Sequence, residues 1–399
     1  MADPDLPQRI LVIDDDPSDL KAFENYFAKN NIQPKVAKDW ATAIYMFNQH
    51  PFDLTIIELD FSELSGLIIA QRFLNHDHEN KRRTAHVISA GRKLSEHDKN
   101  LISEVGDIGI ISKPFNWVQI MPHLVNTVRS NNQRLQLLDL NTKVIQPLIK
   151  QNNIEKALKI AEEKVLPLGL RGHKMYIKLL EATGKSAQAI SHLEKLVQAN
   201  PNDLALRNAL GRIYLNNGQI DLAKSMLEEA DKLAPNNIQR VEHLAEFYLR
   251  TKKPDESIHQ YKKLIGFYPE DTGKKFDYVE TIDNAGYARE AQDFCRSIST
   301  PLELIRHYNN KGVVFSKNNQ LPQAIEEYRK AIRYASGSKE IYKTMYNMAL
   351  ANINLKTPEH LLESEKLLIK CLEINKSFEK ATEKLELVRS YMKSGKKVS

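Results

Sequence analysis

Pro201, Pro235 and Pro269 stand 34 residues apart, and that period constrains this chain more than any other feature. A fixed period of this length belongs to repeat architectures, in which each unit is too small to bury its own apolar face and does so against its neighbours. The block ending at Pro235 carries Leu210-Gly211, Tyr214, Gly218, Ala223, Leu227 and Ala230. The next carries Leu244-Ala245, Tyr248 and Tyr261, and the preceding one Gly184, Ala189 and Leu193. Small residues recur where two helices cross closely, aromatic residues where the gap to the next unit must be filled, and a proline where a helix must stop.

Weaker copies cover 272–304, with Gly286, Ala291 and Cys295, and 305–338, with Tyr308, Gly312, Phe315, Ala324, Tyr328 and Ala331. A degenerate copy starts near 339 with a short insertion around Thr357-Pro358. The segment 138–169 reads as a first unit, with Ala157 and Ala161 on its second helix, and 377–392 as a polar capping helix. About seven units result.

The N-terminal part follows different rules. Ile10-Leu11-Val12-Ile13 is an apolar run that ends in Asp14-Asp15-Asp16, and Asp53-Leu54-Thr55-Ile56-Ile57 ends at Glu58. His86-Val87-Ile88 ends at Ser89-Ala90, and Ile108 to Ser112 ends at Lys113-Pro114. Short continuous apolar runs of this kind are the mark of strands buried on both faces of a parallel sheet.

These landmarks resemble the receiver domain of bacterial response regulators, and the 34-residue units resemble tetratricopeptide repeats. The first resemblance implies a doubly wound α/β fold with a five-stranded parallel sheet, flavodoxin-like in topology. The second implies an all-α superhelical solenoid. Receivers carry an acidic pair after the first strand, an acceptor Asp after the third, Ser or Thr after the fourth and Lys-Pro, with a cis bond, after the fifth. Counting back eight residues from Gly66, the glycine that opens the third helix in the family, places Glu58 at the acceptor position, with Ser89 and Lys113 completing the pocket. Asp14 and Asp15, joined by the backbone carbonyl of Asp60, would hold Mg²⁺, a hard ion that prefers oxygen ligands. Where receivers carry a switching Tyr or Phe, this chain has Ile110, and the loop after Glu58 lacks the usual Met-Pro.

A glutamate carboxylate projects roughly 1.5 Å beyond that of an aspartate. It carries one negative charge, against about 1.5 to 2 for a phosphoryl group. Glu58 either reaches Lys113 and Ser89 and holds the domain partly activated, or simply disables the site. Both readings predict a pseudo-receiver that forms little acyl phosphate. The resemblance further implies sensor histidine kinases or other response regulators as partners, with homodimerisation through the receiver as a further mode.

In tetratricopeptide arrays the first helix of each repeat lines the concave face. Carried over, this places Lys174, Lys178, Asn208, Arg212, Asn216, Glu242, Glu246 and Arg250 there, facing a peptide or helix. Residues 1–128 hold 13 Lys+Arg against 18 Asp+Glu, and the remainder 44 against 33, so a basic array follows an acidic domain. That suits an acidic protein partner or a solvated lysine face. No groove-reading element supports nucleic-acid binding.

No apolar stretch approaches 18 residues, and Met1 to Asp5 is unlike a signal peptide, so membrane insertion is not expected and a cytoplasmic location is. Two cysteines cannot form a disulfide scaffold or a metal site. His76-Asp77-His78 lacks a third ligand, and neither a phosphate-binding loop nor a nucleophile elbow is present. The expected layout is a receiver at 1–128, a helical linker at 129–140, repeats at 141–376, and a capping helix and tail at 377–399. The expected role is a non-enzymatic two-component adaptor that modulates, by inhibition or otherwise, a phosphorelay. The alternatives are a phosphorylatable response regulator using a nearby Asp such as Asp60, and an assembly scaffold unrelated to phosphotransfer.

Overall fold

The computed structural model describes residues 6–61 and 63–394. The first and last five residues lie outside that range, so the expectations for the N-terminal start and for the end of the 377–399 segment do too. The chain divides into two compact units, Met1–Glu270 and Asp271–Ser399. The break falls inside the helical array rather than at 129–140, so the α/β domain and the first repeats form one body.

In that body the strands β1 (Ile10–Ile13), β2 (Lys35–Ala37), β3 (Leu54–Glu58), β4 (Ala85–Ala90) and β5 (Ile108–Ser112) form a parallel sheet in the order β2-β1-β3-β4-β5. Every residue of β1, β3 and β4 is buried, which is why these strands read as unbroken apolar runs. The edge strand β2 runs from an exposed lysine to a buried alanine and leaves no such run. Helices α1 (Pro17–Ala28), α2 (Trp40–Gln49), α3 (Gly66–Leu74), α4 (Glu96–Val105) and α5 (Trp117–Leu140) flank the sheet. Asp16 caps α1 by accepting from the Ser18 amide at 2.8 Å, and a reciprocal Ser95–Asp98 capping box opens α4.

Gly66 explains the eight-residue spacing used to find Glu58. A Cβ there would lie 2.1 Å from the Glu58 carbonyl oxygen, so α3 can pack on the end of β3 only through a glycine. Gly66→Ala is expected to cost about 1–3 kcal/mol by overpacking and to shift Glu58. Urea denaturation of the variant checks this, and an unchanged midpoint would refute it.

Helix α5 continues for 24 residues to Leu140, then through Asn141–Ile145 and Gln146–Lys150. It carries the α/β domain into the repeats without an extended linker. Still within the first unit follow α6 (Ile154–Lys164), α7 (Leu170–Ala182), α8 (Ser186–Ala199), α9 (Leu204–Asn216), α10 (Ile220–Leu233), α11 (Ile238–Arg250) and α12 (Pro254–Phe267). Ala157, Ala161, Ala189, Ala223 and Ala230 are fully buried at helix contacts, and a Cβ on Gly211 would meet Leu227 at 2.8 Å. Pro201, Pro235 and Pro269 each follow a second helix by two residues. The turn survives even where its residue type changes: Gly184, Gly218, Lys252 and Gly286, and Asn319 one residue short of the period, all have positive φ between paired helices.

The second unit comprises α13 (Thr272–Asn284), α14 (Ala288–Ile298), α15 (Pro301–Lys317), α16 (Leu321–Tyr334), α17 (Tyr342–Leu355), α18 (Pro358–Ile374) and α19 (Glu379–Ser394). Thr357 caps α18 where the insertion was expected. Cys295 and Cys371 are buried free thiols, each pushed up to about 11 by burial, so both behave as small apolar residues.

Candidate functional site: an acidic pocket and a receiver–repeat junction

The loops at the carboxyl ends of β1, β3, β4 and β5 converge on Lys113. Its ammonium lies 2.6 Å from Glu58 Oε2, 3.0 Å from Asp14 Oδ2 and 2.6 Å from Asp19 Oδ2. Ser89 donates its hydroxyl proton to the same Glu58 oxygen at 3.0 Å. Asp14 is 1% and Glu58 6% exposed, so this is a buried ion cluster in which three carboxylates share one cation. Burial raises the Asp14 carboxyl above its usual range, although hydrogen bonds from the Asp16 amide and Lys113 oppose that rise. Burial alone would lower Lys113, but hydrogen bonds to Asp19, Glu58 and Asp14 outweigh it and raise its pKa. The Lys113–Pro114 bond is cis.

Glu58, Ser89, Lys113 and Asp14 are thus brought together, and Asp19 joins them unexpectedly. Asp19 sits in the first turn of α1, close enough in sequence to Asp15 and Asp16 that helical geometry could have included it. Asp15 is exposed. Asp60 turns its carboxylate outward to Arg92 at 2.8 Å, away from the buried cluster. Ile110 is a partly buried strand residue beside Ile88.

The pocket's donors are all oxygen, and Asp14, Asp19 and Glu58 outnumber the single ammonium, which suits a hard divalent cation. Lys113 already engages the three pocket carboxylates, however, and among the described residues no three of His, Cys, Asp or Glu are placed to hold a metal ion. That includes His76 and His78, whose loop is tied down by a 3.0 Å contact between His76 and Asn48.

A second locus lies where α3 and α4 meet the repeats. Arg240 on α11 is fully buried and pairs with Glu104 of α4 at 2.5 Å; the Glu104 side chain is 1% exposed. Arg240 also donates to the Ala234 carbonyl and, at 3.4 Å, to Asp231. Gln71 donates to the Asn236 carbonyl at 3.1 Å and accepts from the Ile238 amide at 3.0 Å. Arg72 pairs with Glu270 and lies over the Tyr268 ring at 4.7 Å, while Asn100 donates to the Leu233 carbonyl at 3.0 Å. Arg171 on α7 pairs with Asp107.

The α/β domain thus packs on the turns between the first repeats, around Leu233 to Ile238 and Phe267 to Glu270. Lys174, Lys178, Asn208 and Arg212 do line the cleft that remains, together with His243. Asn216, Glu242, Glu246 and Arg250 are not part of that lining; Arg250 bonds Glu246 and the Leu215 carbonyl. The end of α4 takes part in the same contact through Asn100 and Glu104.

This strand order and the loop chemistry at one end of the sheet define a receiver. Residues 10–125 match the family model of the response regulator receiver domain, and residues 180–244 and 305–337 match models of the tetratricopeptide repeat. The chain carries a receiver domain followed by tetratricopeptide repeats. It is 26% identical over 164 residues to the transcriptional regulatory protein KdpE of Mycobacterium tuberculosis, covering 41% of this chain and 66% of the relative. It is 23% identical over 193 residues to Superkiller complex protein 3 of Homo sapiens, covering 47% of this chain and 11% of the relative. Among solved structures, a CheY-like receiver from Methanospirillum hungatei aligns with 15% identity and a TM-score of 0.29, over 32% of this chain and 98% of that one. The chain thus spans less than two thirds of the curated relatives it matches. Among the described residues, no helix is long and apolar enough to cross a membrane.

Proposed function

We propose that this protein is a non-enzymatic two-component signalling adaptor, whose pseudo-receiver and repeat array bind partners and modulate a phosphorelay. The observation that carries this reading is the contact of one Glu58 oxygen with both Lys113 and Ser89. Those are the groups a receiver offers to a phosphoryl oxygen, and the longer glutamate reaches them unaided. Mg²⁺ would be held by Asp14, Asp15 and the Asp60 carbonyl and would supply further charge neutralisation. A cluster already held by hydrogen bonds and charge presents one surface persistently, so the domain communicates by contact and not by turnover.

The partner class follows from the receiver: a sensor histidine kinase or another response regulator, met at the acidic rim of Asp15, Asp16 and Asp19. Inhibition is the natural sign, because a receiver that accepts no phosphate can occupy a kinase without draining it. The first repeats add a condition. A partner that takes the turns between them competes with the receiver packed there, so binding there and release of α4 are linked.

The test pairs the natural chain with Glu58→Asp under a small-molecule phosphodonor and Mg²⁺, read by intact mass. The natural chain is expected to gain nothing and the aspartate variant one phosphoryl group. A phosphoryl group on the natural chain that is lost in Asp60→Asn would sink the pseudo-receiver reading and favour ordinary phosphorylation. The outward ion pair of Asp60 with Arg92 speaks against that route.

A further inference from the structure

At the receiver–repeat junction a cleft of about 510 Å³ remains between the end of α4, α5 and the first helices of the repeats. Five cations line it, Arg134 of α5 and Arg171, Lys174, Lys178 and Arg212 of α7 and α9, against three carboxylates. Those carboxylates are already engaged: Glu104 with Arg240 behind the wall, Asp107 with Arg171, and Asp203 with Lys174 at 3.5 Å. Arg212 is held by both oxygens of Glu181 at 2.8 and 2.5 Å.

Two cations are left over, one from each side of the junction. Among the described residues, Arg134 donates to neutral oxygens, Asn131 Oδ1 at 2.6 Å and the Thr84 carbonyl at 2.8 Å. Among the described residues, no carboxylate comes within ion-pair distance of Lys178, which keeps solvent contact inside the cleft. The surroundings register the imbalance. Burial pushes Arg134 down to about 10, with Arg171 and Arg82 adding to the effect and Asp107 opposing it. Although Lys178 is exposed to solvent at the cleft, desolvation by the protein packed round it and then Arg212 depress it, with Glu181 opposing. His243, 3.2 Å from the Asn208 side chain, is held neutral with a pKa of about 3 by burial and by Arg212, Arg240 and Lys178.

We propose that this cleft binds a small phosphorylated compound of nucleotide size, whose anionic groups neutralise Lys178 of the array and Arg134 of the receiver helix. The volume lies within the range of about 300–1,000 Å³ typical of small-molecule sites. Guanidinium and ammonium groups are the usual phosphate partners. Asn208 and neutral His243 offer hydrogen bonds, and Leu170 and Ile177 an apolar wall, for the uncharged part. Because the ligand touches both domains, it favours the docked form by mass action and thereby sets how readily α4 is released. The site is independent of whether Glu58 accepts phosphate.

Isothermal titration calorimetry on the full chain at low salt, without metal, would use inorganic pyrophosphate, ADP and GDP as probes, with thermal melting in parallel. Saturable binding of at least one probe is expected, with a rise in melting temperature. Lys178→Met should weaken it roughly tenfold or more, the loss of one charge-assisted contact, and leave the melting temperature of the free protein unchanged. Lys178→Arg should retain binding. The proposal is overturned by three results: no heat and no melting shift from any probe at millimolar concentration, affinity undiminished in Lys178→Met, or a glutamate-rich peptide binding more tightly than every phosphate probe.

Discussion

Replacing Arg240 by alanine should lower the unfolding free energy of the Met1–Glu270 unit by about 3–5 kcal/mol. The size follows from burial: Arg240 has no solvent exposure and the Glu104 side chain almost none, so truncation strands a carboxylate in a dry interface. Burial already raises the Glu104 pKa, with Arg240 opposing the rise, and removing Arg240 removes that compensation. The Ala234 carbonyl and Asp231 lose a donor as well. The double variant Glu104→Leu/Arg240→Met, which replaces the pair by apolar groups, should recover most of the loss. Both tryptophans, Trp40 and Trp117, lie in the receiver, so their fluorescence during denaturation reports this unit directly. A loss below about 1 kcal/mol in the single variant would mean that receiver and repeats fold without help from this contact.

Lys113→Met should be comparably damaging at neutral pH, by about 3–5 kcal/mol. Asp14, Asp19 and Glu58 would then lose the one cation they share. The sign of the pH dependence follows from the raised Asp14 pKa. A carboxyl whose folded pKa exceeds its unfolded value favours folding below the unfolded value, and that contribution is lost as pH rises through the folded value. Removing Lys113 removes hydrogen-bonding and Coulombic effects that lower Asp14, so this window extends further upward in the variant. The deficit against the natural chain should therefore shrink as pH falls from 7 towards the ordinary carboxylate range near 4. Denaturant midpoints across that range would measure it. A deficit independent of pH would show that lost packing, not stranded charge, is responsible.

Much of the fold was legible because it is written in local periodicity. β1, β3 and β4 are buried on both faces, so their apolar runs stand out, whereas β2 exposes Lys35 at an edge and has no such run. The prolines and small residues mark the repeats because helix crossing and helix ending are local steric events. The positive φ shared by Lys252 and Asn319 with the turn glycines shows the conformation outlasting the residue that favours it. At the acidic pocket, Glu58, Ser89, Lys113 and Asp14 were identifiable from the ends of strands, since a parallel sheet gathers those ends at one edge. Asp19 was not, because its place depends on how α1 leans over that edge.

The amino-acid order alone determined a receiver-like sheet, a helical array of 34-residue units and a glutamate facing a lysine and a serine. Only the tertiary structure decided that the receiver packs on the turns between the array's first repeats. Arg240 sits on a helix amid ordinary polar residues, and Glu104 lies 136 positions away on another; nothing local joins them. Pairing of two charges across that distance depends on the path of α5 and on how the repeats stack. Side-chain chemistry is carried by each residue, but which charges lose their water together is set by the arrangement of whole elements.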